Sequence, residues 1–326
     1  MQAIVITAFG EAEGMVMRQL PLPRPQAGEV LIKVAACGVN RPDVLQRQGL
    51  YPPPASARSG RLGLEVSGNV VELGADVSNL QCGDEVCALV DGGGYAEYVV
   101  ASQELCLPIP SGVDLIDAAG LPEVYMTVWS NIFERCRLQA GETLLVHGGA
   151  GGIGTAAVQL AKALGASVLA TVGSKQKETF LFSLGVDAVF IRTEGDWVAQ
   201  AIEYTKNKGV DVVLEMAAGS ELSKSIACLA TDGRLAVIGL LGGAKSTIDV
   251  SKILLRRLTL TGSTLRARPL SYKKRIVESL KTQVWPLFAR GLIRPITQAR
   301  FSLGAVVEAH RLMESNTHTG KIILTL

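Results

Sequence analysis

Aromatic side chains are scarce in this 326-residue chain, at 5%, and histidine is scarcer, with three copies. Lys and Arg form no block, and the formal net charge is only +2. Charge therefore does not indicate a nucleic-acid surface or an anionic membrane surface. No apolar stretch reaches the ~18 to 20 residues that a bilayer span requires. The opening residues, MQAIVITAFGEAEG, lack a basic flank, a long apolar core and a cleavage site. No signal peptide is readable there, and a cytoplasmic protein is expected. Six cysteines stand at positions 37, 82, 87, 106, 136 and 228, without a CxxC pair and without a histidine at zinc-like spacing. Buried or inert thiols in a reducing compartment, and no disulfide, are the expectation.

Glycine is abundant, at 35 residues, and apolar residues make up 48%. That bias suits an α/β protein rather than a membrane protein or a disulfide scaffold. The length fits about two domains of roughly 150 residues each. From 1 to about 121 the text is rich in strands and turns: EVLIKVAACGV, EVSGNVVELG, DEVCALV and GYAEYVVAS, bounded by PRPQAG, YPPPAS and DGGG. Strands with few helices between them predict an antiparallel, barrel-like unit. The stretch GLPEVYMTVWSNIFERCRLQAGE reads as a helix that starts after Pro122 and stops near Gly141. From 143 onward strands and helical patterns alternate, which predicts a doubly wound parallel sheet. In the helix expected at 152–165, Ile153, Ala156, Ala157, Leu160, Ala161 and Leu164 recur at helical spacing as one buried stripe. Past about 267 a long helical stretch leads to a last strand, Ile322 to Leu326, that returns to the first domain.

The segment TLLVHGGAGGIG places Gly149, Gly151 and Gly154 as G-x-G-x-x-G between a strand and a helix. Such glycines serve a tight turn, close backbone approach and close helix–strand packing, and the helix N-terminus offers N–H groups to a pyrophosphate. An NAD site wants an acid about 20 residues further on, for the ribose hydroxyls. Here the next strand ends in Gly173-Ser174-Lys175-Gln176-Lys177, with no acid. A hydroxyl and two lysines suit the 2′-phosphate of NADPH instead.

On EVLIKVAACGVNRPDVLQRQGLYPPP, GLEVSGNVVELG, AAGLPEVYMTVWSN, HGGAGGIG, TLTGSTLRARP and HRLMESNTHTGKIIL, the chain resembles the medium-chain dehydrogenase/reductase superfamily. Within it the chain resembles the zinc-free quinone oxidoreductases, nearest the tumour-suppressor-induced subfamily. The resemblance implies an α/β protein: a GroES-like, mostly β domain from 1–121 and 268–326, with a Rossmann domain inserted at 122–267 and the active site in the cleft between them. It also implies a homodimer joined through the sheet edge near 256–265, since an exposed edge is otherwise a liability. Zinc relatives carry Cys and His ligands. Here Asn40 stands at the first position, Leu64 replaces the histidine of Gly-His-Glu, and the four-cysteine lobe is absent. Leucine cannot ligate, so no metal is expected, and the substrate should accept hydride readily, as quinones and activated alkenes do.

The resemblance assigns roles residue by residue. Asn40 and Tyr51 would be the catalytic residues: Asn40 would line the nicotinamide or substrate end through its amide, and Tyr51 would cover the nicotinamide and quinone, stacking on a ring or donating a hydrogen bond. Thr127 would face the nicotinamide carboxamide. Ala150, Gly151, Gly152, Ile153 and Gly154 would meet the pyrophosphate. Gly173, Ser174 and Lys177 would hold the 2′-phosphate, and Arg192 would stack on adenine or pair with that phosphate. Gly239, Leu240 and Leu241, with Thr264, Leu265 and Arg266, would cradle the nicotinamide. Lys321 would reach the cofactor from the returning segment. The three histidines, His147, His310 and His318, read as structural. The expected function is NADPH-dependent reduction of a small-molecule quinone. The alternatives are an NADPH-dependent alkene reductase acting on enones, enals or enoyl thioesters, and a non-catalytic NADPH-binding protein with a crystallin-like or RNA-binding role. No nucleic acid and no membrane are expected as partners.

Overall fold

Valine, isoleucine and leucine dominate the segments that become strands, and glycines close the turns between them. The computed structural model describes residues 1–55, 57 and 60–326; Ser56, which closes the turn segment YPPPAS, lies outside them. Packing divides the chain into two units, Met1–Met126 with Leu265–Leu326, and Thr127–Thr264.

The first unit begins with a hairpin, β1 (Gln2–Ile6) with β2 (Met15–Gln19). Strands β3 (Glu29–Val39), β4 (Glu65–Leu73), β5 (Glu85–Leu89), β6 (Tyr98–Ser102) and β7 (Cys106–Pro108) follow. Helix α1 (Arg41–Arg47) leaves directly from the end of β3, α2 (Leu115–Ala118) comes after β7, and α3 (Pro122–Val128) leads into the second unit. Strand β3 is the hub. It pairs antiparallel with β4 and with β6.

In the second unit β8 (Thr143–His147), β9 (Ser167–Val172), β10 (Ala188–Ile191), β11 (Val210–Glu215), β12 (Leu229–Val237) and β13 (Thr259–Gly262) alternate with α4 (Gly152–Ala163), α5 (Gln176–Ser183), α6 (Trp197–Tyr204), α7 (Glu221–Ala227) and α8 (Val250–Arg256). The strands form one parallel sheet in the order β10-β9-β8-β11-β12-β13. The order reverses at β8, the switch point where doubly wound folds bind ligands beyond the strands' carboxyl ends. Leu145, Leu169, Val213, Leu235 and Trp197 fill the core.

The chain then returns to the first unit as α9 (Leu270–Ser279), α10 (Trp285–Ala289), β14 (Thr297–Ser302), α11 (Val306–Ser315) and β15 (Lys321–Thr325). The expected last strand is therefore present. Strand β15 pairs antiparallel with β3, from Ile322 opposite Val39 to Thr325 opposite Ala36. The resulting seven-stranded sheet runs β14-β15-β3-β4-β5-β7 with β6 beside β3. Val30, Ile32, Val66, Val86, Val99, Ile322 and Leu324 meet in its core.

Two local expectations need correction. The helix after Pro122 ends at Arg135, six residues before Gly141, and its last seven residues are wound as a π-helix. The side chains of Ser130 and Asn131 both donate to the Thr127 carbonyl, at 3.2 and 2.9 Å, and Cys136 N–H reaches Asn131 O at 2.9 Å, which loosens the winding. Helix α4 has no single stripe: Gly154 to Ala161 are buried without interruption, whereas Ile153 and Leu164 stay partly open. Its polar members Thr155 and Gln159 are tolerated because each donates to a carbonyl of the same helix, Gly152 and Thr155. Among the cysteines, five are buried free thiols but Cys82 is exposed. No helix among the described residues is long and apolar enough to cross a membrane.

Candidate active site

In the second unit the loop between β8 and α4 is made by its glycines. A Cβ on Gly149 would stand 2.7 Å from the Ala170 Cβ, and one on Gly154 would stand 2.4 and 2.5 Å from the carbonyl oxygens of Gly149 and Gly148. Both positions are closed to any side chain. Gly151 differs: a Cβ there meets only the Gly148 carbonyl, at 3.6 Å, so its outer side is open. Thr155 N–H is the first in α4 to find a helical partner, Gly151 O at 2.8 Å. The N–H groups of Gly152, Ile153 and Gly154 precede it and belong to the unpaired first turn of a 12-residue helix. Such a turn suits an anion. Ala150 is buried in the loop behind them.

Beneath the loop lies a closed polar network. His147, the last residue of β8, is bonded at Nδ1 to Thr171 Oγ1 and at Nε2 to Ser225 Oγ, each at 2.8 Å. Ser225 donates in turn to Glu215 at 2.5 Å, whose other oxygen accepts the N–H groups of Ala217 and Ala218. Burial pushes the imidazole pKa down, against the pull of Glu215. The members are sealed from solvent, so the network ties the ends of β8, β9 and β11 together and exposes no nucleophile.

After β9, Gly173, Ser174, Lys177 and Arg192 come together. A Cβ on Gly173 would lie 3.8 Å from Arg192 Nη2. Burial, and then the Arg192 charge, lower the Lys177 pKa, so two cations converge on one small area. A dianion there would relieve their repulsion. Farther along the sheet Gly239 packs on the Met216 carbonyl, and Leu241 N–H reaches the same oxygen at 3.2 Å. Leu240 and Leu241 are exposed, as is Thr264 beyond β13. The Thr127 carbonyl is taken by Ser130 and Asn131, while its own hydroxyl has no partner among the described residues.

In the first unit, side chains from separate segments build a buried polar cluster. Glu65, fully buried at the start of β4, accepts Asn40 Nδ2 at 2.9 Å on one oxygen, which also forms an ion pair with Lys321 Nζ at 2.6 Å, and accepts Glu123 N–H at 2.8 Å on the other. Gly38 makes room for it: a Cβ there would sit 2.1 Å from Glu65 Oε1. Lys321 Nζ also donates to Asn40 Oδ1 at 2.6 Å and to Val39 O at 3.2 Å. Lys321 Nζ is thus engaged by Val39, Asn40 and Glu65 within this unit. These contacts fix Asn40. Asn40 is 7% exposed, and the Glu65 bond occupies one of its donors. Asp43, also fully buried, accepts Asn40 N–H and Gly63 N–H at 2.9 Å, and burial lifts its pKa to about 6.

Tyr51 and Arg266 meet close by, with the guanidinium carbon 5.9 Å from the ring centroid. Arg266 is nearly buried and spends its donors on Asp91 O and on Gln46 Oε1, the latter at 2.6 Å. Lys273 Nζ binds the Asp91 carboxylate at 2.7 Å. Leu265 is buried beside Arg266 in sequence. Among the described residues no cluster of three or more His, Cys, Asp or Glu could hold a metal.

Sequence reading missed Glu65, Asp43, Gln46, Asp91, Glu123 and Lys273. Glu65 is legible only as the third residue of Gly63-Leu64-Glu65, whose most telling feature is the leucine in the histidine's place. Glu123 carries a weak signal, an acid directly after a helix-starting proline, which ordinary helix statistics explain as well.

Two family models match the chain: "Alcohol dehydrogenase GroES-like domain" over residues 26–111 and "Zinc-binding dehydrogenase" over residues 152–282. A quinone oxidoreductase of Rattus norvegicus is 31% identical over 330 residues, covering 100% of this chain and 98% of the relative. The crystal structure of Escherichia coli quinone oxidoreductase complexed with NADPH superposes with a TM-score of 0.89 at 26% identity, over 100% of both chains. The CurK enoyl reductase superposes with a TM-score of 0.86 at 27% identity, over 99% of this chain and 98% of that one.

Proposed function

The chain belongs to the medium-chain dehydrogenase/reductases, in their quinone oxidoreductase branch, and from that premise we propose that it reduces quinones with NADPH, without a metal. The observation that carries the reading is the pairing of a loop closed at Gly149 and Gly154 but open at Gly151 with two converging cations, Lys177 and Arg192. The first suits a pyrophosphate and the second a 2′-phosphate. The relative crystallised with NADPH supports the same choice.

In this reading Ala150 to Gly154 present backbone to the pyrophosphate, and Gly173, Ser174, Lys177 and Arg192 take the 2′-phosphate. Thr127, Gly239 to Leu241 and Thr264 to Arg266 orient the nicotinamide end. NADPH supplies a hydride when bound. Asn40 and Tyr51 are the substrate-end residues, Asn40 held rigid by Lys321 and Glu65, and Tyr51 offering its ring to a planar substrate. Leu64 gives no donor for a metal, so the reaction rests on positioning and on a substrate that delocalises the incoming charge. The buried free thiols suit a reducing, cytoplasmic setting.

A homodimer through the β13 edge belongs to the same proposal. Strand β13 ends the sheet, and Val250, Leu254 and Leu255 of the preceding helix are 65%, 75% and 74% exposed. An apolar patch beside a free edge is what a second copy would cover. An enoyl or enone substrate is the second reading, supported by the likeness to the CurK enoyl reductase.

A titration with NADPH and NADH, followed by turnover on 1,4-benzoquinone in the same cuvette, tests the proposal. NADPH should bind at least about tenfold more tightly than NADH, since charge-assisted contacts to a phosphate contribute roughly 1.5–3 kcal/mol. Equal affinity would remove the Lys177/Arg192 argument. Tight NADPH binding with turnover on crotonaldehyde but not benzoquinone would move the assignment to alkenes.

A further inference from the structure

Hydride transfer to a quinone leaves an anion that still needs a proton, and the roles assigned so far include no acid. Glu123 fits that need by its position. Its backbone N–H is pinned to Glu65, so the residue is held firmly at the start of α3. Its carboxyl accepts no hydrogen bond and forms no ion pair among the described residues, and the residue as a whole is only partly buried. The charged and titratable groups around it come from every neighbouring segment: Glu65 on β4, Asp43 on α1, Lys321 on β15, Lys273 on α9, Tyr51 after α1 and Arg266 before α9.

We propose that Glu123 is a catalytic acid of this enzyme, delivering the proton that completes the reduced substrate; this rests on the NADPH-dependent reading above. The quinone takes two electrons and one hydrogen as hydride from NADPH, which leaves as NADP⁺. The resulting hydroquinone monoanion takes the proton of the Glu123 carboxyl on oxygen, giving the neutral hydroquinone. The Glu123 carboxylate then recovers a proton from water. Atoms and charge balance, with one hydride and one proton entering per quinone.

The electrostatics agree. Burial, and then the Glu65 charge, push the Glu123 carboxyl up to about 8, against the opposing pull of Lys321. It therefore carries its proton at neutral pH and can part with it, which suits a general acid. Tyr51 is the competing donor, but burial and the Glu123 charge raise its pKa above an already high value, so it is the weaker acid.

The test compares wild type with E123Q and E123D, each checked for a normal thermal transition and for NADPH binding. Wild-type quinone turnover should fall as pH rises through about 8. E123Q should lose about 10²-fold or more in rate and lose that limb, with E123D recovering part of both. Infrared spectra of the cofactor-free protein supply a readout independent of turnover: a protonated-carboxyl band present at pH 7, bleached above pH 9 and missing from E123Q. A sign check gives a second: the native state holds the proton between the ordinary 4.5 and about 8, so wild-type stability should fall relative to E123Q as pH rises through that window. A normal rate and an unchanged pH limb in E123Q would overturn the proposal, as would a wild-type carboxyl already ionised at pH 7. Wild type that binds NADPH yet leaves quinones untouched would instead sink the functional reading, and this inference with it.

Discussion

The two units solve the problem of holding a ligand in opposite ways. In the second, the site is backbone: a strand end, a turn and the first N–H groups of α4, shaped by where side chains are missing. In the first, the site is side chains: Asn40, Glu65 and Lys321 arrive from three segments and meet in a buried knot, the ion pair of Glu65 and Lys321 bridged by the Asn40 amide. A backbone site is local and tolerates change in most of its neighbours. A side-chain knot is distributed, and each member depends on the rest. The contrast predicts different failures.

The largest effect should come from the knot. Lys321→Met leaves Glu65 buried with its counter-ion gone, and removing one partner of a buried pair costs about 3–5 kcal/mol. Chemical denaturation should report a loss of that size, and a loss below about 1 kcal/mol would mean that the knot is not the stabilising unit described here. Next comes Gly154→Ala, whose Cβ would meet two carbonyl oxygens at 2.4 and 2.5 Å. Overpacking of this kind costs about 1–3 kcal/mol, and NADPH affinity should drop with it. Smallest is Gly151→Ala, where the nearest atom lies at 3.6 Å. Its melting transition should match wild type within about 0.5 kcal/mol, while NADPH binding weakens because the methyl group occupies the open side. If Gly151→Ala binds NADPH normally, the backbone of that loop is not where the cofactor rests.

The same contrast explains what the sequence made legible. The loop could be found from three glycines at fixed spacing between a β-branched run and an alanine-rich helix, since every relevant residue is near in sequence. The alternation of strands and helices gave the parallel sheet for the same reason. The knot joins residues 40, 65, 123 and 321, and no spacing rule links positions so far apart. Lys321 is legible only through its motif, and its contacts with Asn40 and Glu65 cannot be read from spacing. The end of α3 failed on a different ground. Its residues favour helix as far as Gln139, but the side chains of Ser130 and Asn131 compete for a backbone carbonyl and change the winding before then. Local propensity does not record that competition.

Strand β15 is laid between β14 and β3, so the last residues of the chain complete a sheet begun by some of the first. The second unit is continuous in sequence and owes nothing to that return. During synthesis from the N-terminus it can finish early, whereas the first unit must wait with its β3 flank unpaired and Glu65 without its lysine. Aggregation during production, and rescue by slower synthesis or lower temperature, should therefore track changes in β14 and β15 more closely than changes in the glycine loop.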